Sequence, residues 1–410
     1  MKKIINIFYI VFLLSIILST GCTDKLTEDG KYIVGPDSYF QNDAEFQAAV
    51  VGVYNAIYSG PYSFNAIWLL TGGGEDTHAR QSAPELIQWS IFQPVPSASY
   101  NGTMWNACYL AINSANLVID KAENSTAISD ANKTSYLAQV RFLRAVAYLN
   151  LVRFWGEVPI ATVENTVGEN SFDIVQSPVA DIYNIIVSDF QYAEANLPAT
   201  QANKGRATSS AAKAMLARTY LTMAGWPIKD NTKYAAARDK AKEVMDLGIY
   251  ELEPDFADLW LYANRLTNKE YIFAFYGTES GSVSTLTHMG QRPNEESGWT
   301  DVCSEDQFFY AFPDGYRKEK SFWAVFGDAK NTKWEESQEG QPYIAKFREA
   351  GPAATMNQGS PNSTGGGSGW FPLIRYADVL LMYAEAANMA EGGPSALAIE
   401  CINSAEFFCA

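Results

Sequence analysis

Histidine is almost missing from this chain: 410 residues hold two, His78 and His288. A Ser-His-Asp triad would have to use one of them. Neither stands in a GxSxG or HExxH motif. Cysteine is scarce too, with five residues and no CxxC or metal-like spacing, so neither a disulfide framework nor a thiolate metal site is expected. Positive charge is in deficit. Lys and Arg number 30 against 46 Asp and Glu, a net charge of −16, which argues against nucleic acid and against a polybasic membrane contact. It also favours a neutral ligand over a strongly anionic one. The glycine runs at 72–74 and 365–367 lack the Lys-Ser/Thr of a phosphate loop. Ser210-Ala211-Ala212-Lys213 matches SxxK without the companion motifs of a serine nucleophile, and Ser209 or Ser210 reads better as a helix N-cap. No carboxylate pair stands out among the acidic residues. No catalytic group, cofactor or metal is therefore expected.

A long apolar run occurs once. Lys2 and Lys3 precede Ile4 to Leu18, almost wholly apolar, and Ser19, Thr20, Gly21 and Cys22 follow. That is the layout of a secretory signal peptide, shorter than the roughly 20 residues that span a bilayer. "STGC" resembles the lipobox of bacterial lipoproteins, although Ser19 stands where the pattern prefers Leu. The resemblance implies a signal peptide over 1–21, a cut before Cys22 and acyl chains on that thiol. At ~0.8 kcal/mol per buried CH₂, several chains hold a soluble body at a membrane surface.

The rest is dominated by helical periodicity. Trp105, Tyr109, Ile112, Asn116 and Ile119 recur on one face of a helix. Asn116 on that face is expected to satisfy neighbouring backbone. From Phe142 to Val152 apolar residues nearly encircle the next helix, which should pack on several sides and stop at Gly156 and Pro159. A helix from about Val179 to Asn196 starts beside Pro178, read as its first-turn proline. Ala214, Ala217 and Leu221, then Tyr234, Ala237, Ala241 and Val244, mark a helix pair that resembles a tetratricopeptide unit. A late helix carries Tyr376, Val379, Leu380, Tyr383 and Ala387, and ends at Gly392, Gly393 and Pro394. Residues 71–104 and 277–372 are rich in Gly, Ser, Asn, Pro and aromatics and read as loops, with a short strand at 270–277. The expected fold is mainly α, a tetratricopeptide-like helical core with long irregular loop insertions, where function usually sits.

Five segments in order, "YFQNDAEFQAAVVGVYNAIY" (39–58), "WNACYLAINSANLVI" (105–119), "RFLRAVAYLNLVRFWGEVPI" (141–160), "GRATSSAAKAMLARTYL" (205–221) and "RYADVLLMYAEAAN" (375–388), resemble the SusD/RagB family of Bacteroidetes surface lipoproteins. The resemblance implies a lipid-anchored, outer-membrane protein that captures an oligosaccharide, or in some members a peptide. It implies delivery to a SusC-like TonB-dependent transporter, with no catalysis. It divides the chain into a lipidated tether (22–38), an N-terminal helical region (39–270), a loop-rich insertion (271–372) and the start of a C-terminal helical region (373–410). Family members continue beyond "LAIECIN" with further helical sequence, whereas this chain reads "SAEFFCA" and stops, which implies truncation or a frame change near Ser404.

A sugar presents CH faces that stack on flat rings, and hydroxyls that pair with amides, carboxylates and guanidinium groups. By positional analogy with the family, the candidates are Asp76, His78, Arg80 and Trp89 in the first loop region. Tyr276, His288, Arg292, Asn294 and Trp299 are the candidates in the second. Arg317, after Asp314, resembles a D-x-x-R turn of the family and is expected to be structural. The competing readings are a peptide-capturing lipoprotein and a non-catalytic helical-repeat adaptor that binds protein.

Overall fold

The computed structural model describes residues 39–59, 62, 74–79, 84–162, 174–261, 264–276, 293–296, 300–326, 330–345 and 370–407. The apolar leader, Cys22 and the tether lie outside them, as do Arg80, His288, Arg292 and Trp299. No helix among the described residues is long and apolar enough to cross a membrane.

The core is a stack of helices, each packed on the next. Helix α1 (Asp43–Ser59) lies against α3 (Ser99–Glu123) and α4 (Asp130–Trp155). Then α4 packs on α5 (Val179–Asn196), α5 on α6 (Ser209–Ala224) and α6 on α7 (Lys233–Asp246). Next, α7 packs on α10 (Tyr376–Glu391) and α10 on α11 (Ala396–Phe407). Such neighbour-on-neighbour packing is the construction of a helical repeat. The chain is mainly α, as the periodicity implied.

Helix α4 shows why it is central. Every residue from Phe142 to Val152 except Arg144 is buried, so α1, α3 and α5 can all pack on it. Ser129 caps its start, accepting a hydrogen bond from the Asn132 amide, and Gly156 at φ 70° ends it. Small side chains let α6 and α7 approach: Ala214, Ala217, Ala237 and Ala241 are fully buried. Helix α10 stops at Gly392, left-handed at φ 75°, where L side chains are disfavoured.

Three local expectations need correction. The N-cap of α6 is Thr208, whose hydroxyl accepts from the Ala211 amide at 3.1 Å. Ser209 and Ser210 already lie inside the helix, and Ser210 donates to the Ala199 carbonyl at 2.7 Å. Lys213 of the SxxK match is ion-paired with Glu194 at 3.1 Å and with Glu243. Pro178 occupies the N-cap of α5 rather than its first turn. The first loop region also ends earlier than its composition implied. A short helix α2 (Pro84–Ser90) interrupts it, and α3 begins at Ser99. A seven-residue helix holds too few turns to show a period.

Among the described residues, four two-stranded antiparallel sheets tie the excursions down: β1 (Thr77–Ala79) with β5 (Val302–Ser304), β2 (Val158–Pro159) with β3 (Gln176–Ser177), β4 (Tyr271–Tyr276) with β8 (Trp370–Arg375), and β6 (Phe322–Trp323) with β7 (Tyr343–Ile344). Two short helices, α8 (Asp306–Ala311) and α9 (Tyr316–Ser321), also lie in the second excursion. Cys303, Trp323, Phe326, Trp334 and Tyr343 form a separate buried cluster there. The excursion thus carries a small aromatic core of its own.

Candidate ligand-binding site

Strand β1 brings the two loop regions together. Thr77 pairs with Ser304, His78 with Cys303 and Ala79 with Val302. The Asp76 carbonyl accepts from the Glu305 amide at 3.0 Å and from the Ser304 hydroxyl at 3.2 Å, leaving the Asp76 side chain exposed. His78 Nδ1 stands 3.2 Å from Glu305 Oε1, with both side chains partly open to solvent. Asn294 joins the same region from its far side: its Nδ2 donates to Gln338 Oε1 at 3.3 Å, and the Gln338 amide donates to Glu295 at 2.7 Å. Four residues further on, the Pro342 carbonyl accepts from the Ser304 amide at 2.8 Å.

Helix α2 supports β1 from the other side, with Ser90 Oγ accepting from the Ala79 amide at 2.8 Å. Trp89 on this helix is half-buried, edge-on to Phe154 with ring centroids 6.3 Å apart. Its Nε1 is buried with no hydrogen-bond partner among the described residues. Its ring is therefore largely a packing element. Tyr100 and the carboxylates of Glu85 and Asp301 complete the neighbourhood. Burial, reinforced by Asp301 and Glu85, raises the Tyr100 phenol above its ordinary pKa. Glu85 is fixed by the Ser99 amide at 2.9 Å and the Ser99 hydroxyl at 2.6 Å.

Four of the expected residues, Asp76, His78, Trp89 and Asn294, thus gather around one small sheet. Tyr276 does not. It ends β4, donates to the Arg265 carbonyl at 2.9 Å, and packs where α1 meets the residues before α6. Arg317 stacks its guanidinium carbon 3.6 Å from the centre of the Phe256 ring, a packing role that agrees with its reading as structural. Tyr100, Asp301 and Glu305 were not among the candidates. Only the pairing of β1 with β5 brings the latter two to this surface.

The arrangement suits hydroxyl-rich ligands. Asp76, Asp301, Glu305 and Glu85 supply acceptors, and His78 and Asn294 can donate. Among the described residues no group of three or more His, Cys, Asp or Glu is gathered to hold a metal ion.

Sequence comparison decides the lineage. A family model described as starch-binding, associating with the outer membrane, matches residues 34–221, and a SusD family model matches 318–405. The chain belongs to the SusD/RagB family. A SusD-like protein of Bacteroides ovatus is 28% identical over 272 residues, which cover 63% of this chain but only 47% of that protein. SusD-like protein P2 of Formosa agariphila is 28% identical over 96% of this chain and 79% of its own. The fold matches solved members of the SusD family. A Bacteroides thetaiotaomicron SusD homolog superposes with a TM-score of 0.76 at 22% identity, over 93% of this chain and 80% of that one. A laminarin-binding SusD-like protein gives 0.71 at 22%, over 90% and 85%. Surface glycan-binding protein A of B. thetaiotaomicron, solved with laminarihexaose, gives 0.73 at 19%, over 90% and 83%.

Proposed function

We propose that this protein captures a neutral oligosaccharide at the bacterial surface and passes it, chemically unaltered, to a SusC-like TonB-dependent transporter. The observation that carries the reading is the meeting of the two loop regions across β1 and β5. It sets Asp76, His78 and Glu305 together at one partly open end of the small sheet, with Asp301 and Tyr100 at its other end. Carboxylates and an imidazole pair with sugar hydroxyls, and the flat face of an aromatic ring covers CH groups, without proton transfer. The chain's negative charge disfavours an anion there. Relatives described as binding laminarin or laminarihexaose support the ligand class. Cys22, acylated, is the proposed tether at the outer membrane, and the loop face looks outward.

Isothermal titration of the purified chain against neutral oligosaccharides and, in parallel, peptides tests this reading. Heat with at least one oligosaccharide and none with peptides is expected, and chromatography should recover the sugar unchanged. Heat with peptides alone would assign the protein to peptide capture. Shortened sugar products would make it a hydrolase.

A further inference from the structure

A cavity shares no described lining residue with the β1–β5 surface, and its chemistry is opposite. It encloses about 400 Å³ between α1, the residues leading into α6 and the end of β4, within the roughly 300–1,000 Å³ of small-molecule sites. Tyr54, Tyr58, Phe275 and Tyr276 supply its rings, and Asn55 and Asn203 its amides. Among the described residues that line it, Arg206 is the one charged side chain and there is no carboxylate. In a chain of net charge −16, this is a local reversal of sign.

The walls are fixed before any ligand arrives. Tyr54 donates to Gln139 Oε1 at 3.2 Å and accepts from the Ala207 amide at 2.8 Å, so its hydroxyl is committed and its ring is held. Tyr276 is likewise pinned through its hydroxyl to the Arg265 carbonyl. Gly205 lets the Tyr276 ring come close: a Cβ there would stand 3.1 Å from its Cδ2. Asn203 Oδ1 accepts from the Gly205 amide at 3.0 Å.

Arg206 is held without being neutralised. Its guanidinium carbon lies 4.8 Å from the Tyr54 ring centre, and its Nη1 donates to Gln139 Oε1 at 3.2 Å. Among the described residues no carboxylate stands within ion-pair distance of it. A guanidinium has five N–H donors in a planar fork suited to two-point pairing with a carboxylate. Stacking on one ring and one bond to Gln139 leave donors of that fork for a ligand.

We infer that this cavity is a second sugar site selective for a carboxylate-bearing sugar, a uronate, whose carboxylate pairs with Arg206 while its ring lies against tyrosine. The site is independent of the neutral-glycan surface. It widens the ligands of the protein from neutral to acidic glycans.

The test is calorimetry of the full chain with a matched pair of probes, α-1,4-linked trigalacturonate and its fully methyl-esterified form, which share one sugar backbone and differ in carboxylate charge and the ester methyl groups. The free acid is expected to bind at least tenfold tighter than the ester. Arg206→Gln should abolish that preference. Because Arg206 also holds Gln139, Asn55→Asp serves as a second variant at an exposed position. It should weaken the acid at least fivefold more than it weakens the ester. Equal binding of acid and ester, or an acid preference that survives both variants, overturns the inference and leaves the neutral-glycan reading standing. Absence of heat with both probes likewise overturns it. If neutral oligosaccharides still bind in that case, the first site is unaffected.

Discussion

Arg144 and Asp189 clasp each other at two points, Nε to Oδ2 at 2.7 Å and Nη2 to Oδ1 at 2.8 Å, with Asp189 1% exposed. The same guanidinium donates to Asn116 Oδ1 at 2.6 Å, and Asn116 Nδ2 donates to the Ala161 carbonyl at 2.8 Å. One polar network therefore links α3, α4, α5 and the turn after β2. Removing one partner of a buried pair leaves an uncompensated charge and costs about 3–5 kcal/mol. Asp189→Ala should lower the urea midpoint accordingly. Replacing both partners with apolar residues should recover part of the loss.

Trp89→Ala separates packing from binding. The half-buried ring lies against Phe154, and a fully buried large aromatic truncated to alanine costs about 3–5 kcal/mol. A half-buried one should lose about 2 kcal/mol, read by thermal melting. Oligosaccharide affinity at a temperature where the variant is folded should fall by less than threefold.

Buried phenols should make the protein sensitive to alkali. Burial pushes Tyr54, Tyr62 and Tyr148 from 10.0 up to about 12 each, against the lowering effect of their hydrogen bonds with Ala207, Asn150 and Ala161. The folded state resists ionisation that the unfolded chain undergoes, so it binds more protons between these values. Stability is then fully present below pH 10 and falls as the pH climbs toward 12. Absorbance at 295 nm after a jump to pH 11 should show exposed tyrosines ionising at once, and these three only with unfolding.

Gly205→Ala probes the second cavity's geometry. The added Cβ would meet the Tyr276 ring edge at 3.1 Å, so the ring must shift while the backbone keeps an ordinary conformation. Trigalacturonate affinity should drop at least fivefold, with the melting temperature moving by about 1 °C or less, a change of under 1 kcal/mol.

The helical core was legible because its signal is local. The faces through Ile112 and Ile119, and through Ala237 and Val244, repeat within a few turns, and the structure buries them. Asn116 was readable as a polar residue serving backbone for the same reason. Its second partner, Arg144, lies 28 residues on and leaves no periodic trace. The ligand surface was only half legible. Asp76 and Ser304 are 228 residues apart along the chain, so nothing near Asp76 announces Glu305 or Asp301 as neighbours. Tyr276 fell inside the expected strand at 270–277, yet positional analogy grouped it with the candidates of the loop region after it. Its place is decided instead by β4, which turns the ring toward Gly205. Thr208 and Ser209 are both good caps, and only the backbone decides between them: Thr208 is extended, and Ser209 is the first helical residue.

The central claim is most directly tested by titrating laminarihexaose and other neutral oligosaccharides into the wild-type chain and into an Asp76→Ala, His78→Ala double variant. A hydrogen bond involving a charged group contributes about 1.5–3 kcal/mol. Any sugar that binds the wild type should therefore bind the variant at least tenfold more weakly, at an unchanged melting temperature. Equal affinity in the two proteins, or no heat from any oligosaccharide with the wild type, would contradict capture at the β1–β5 surface.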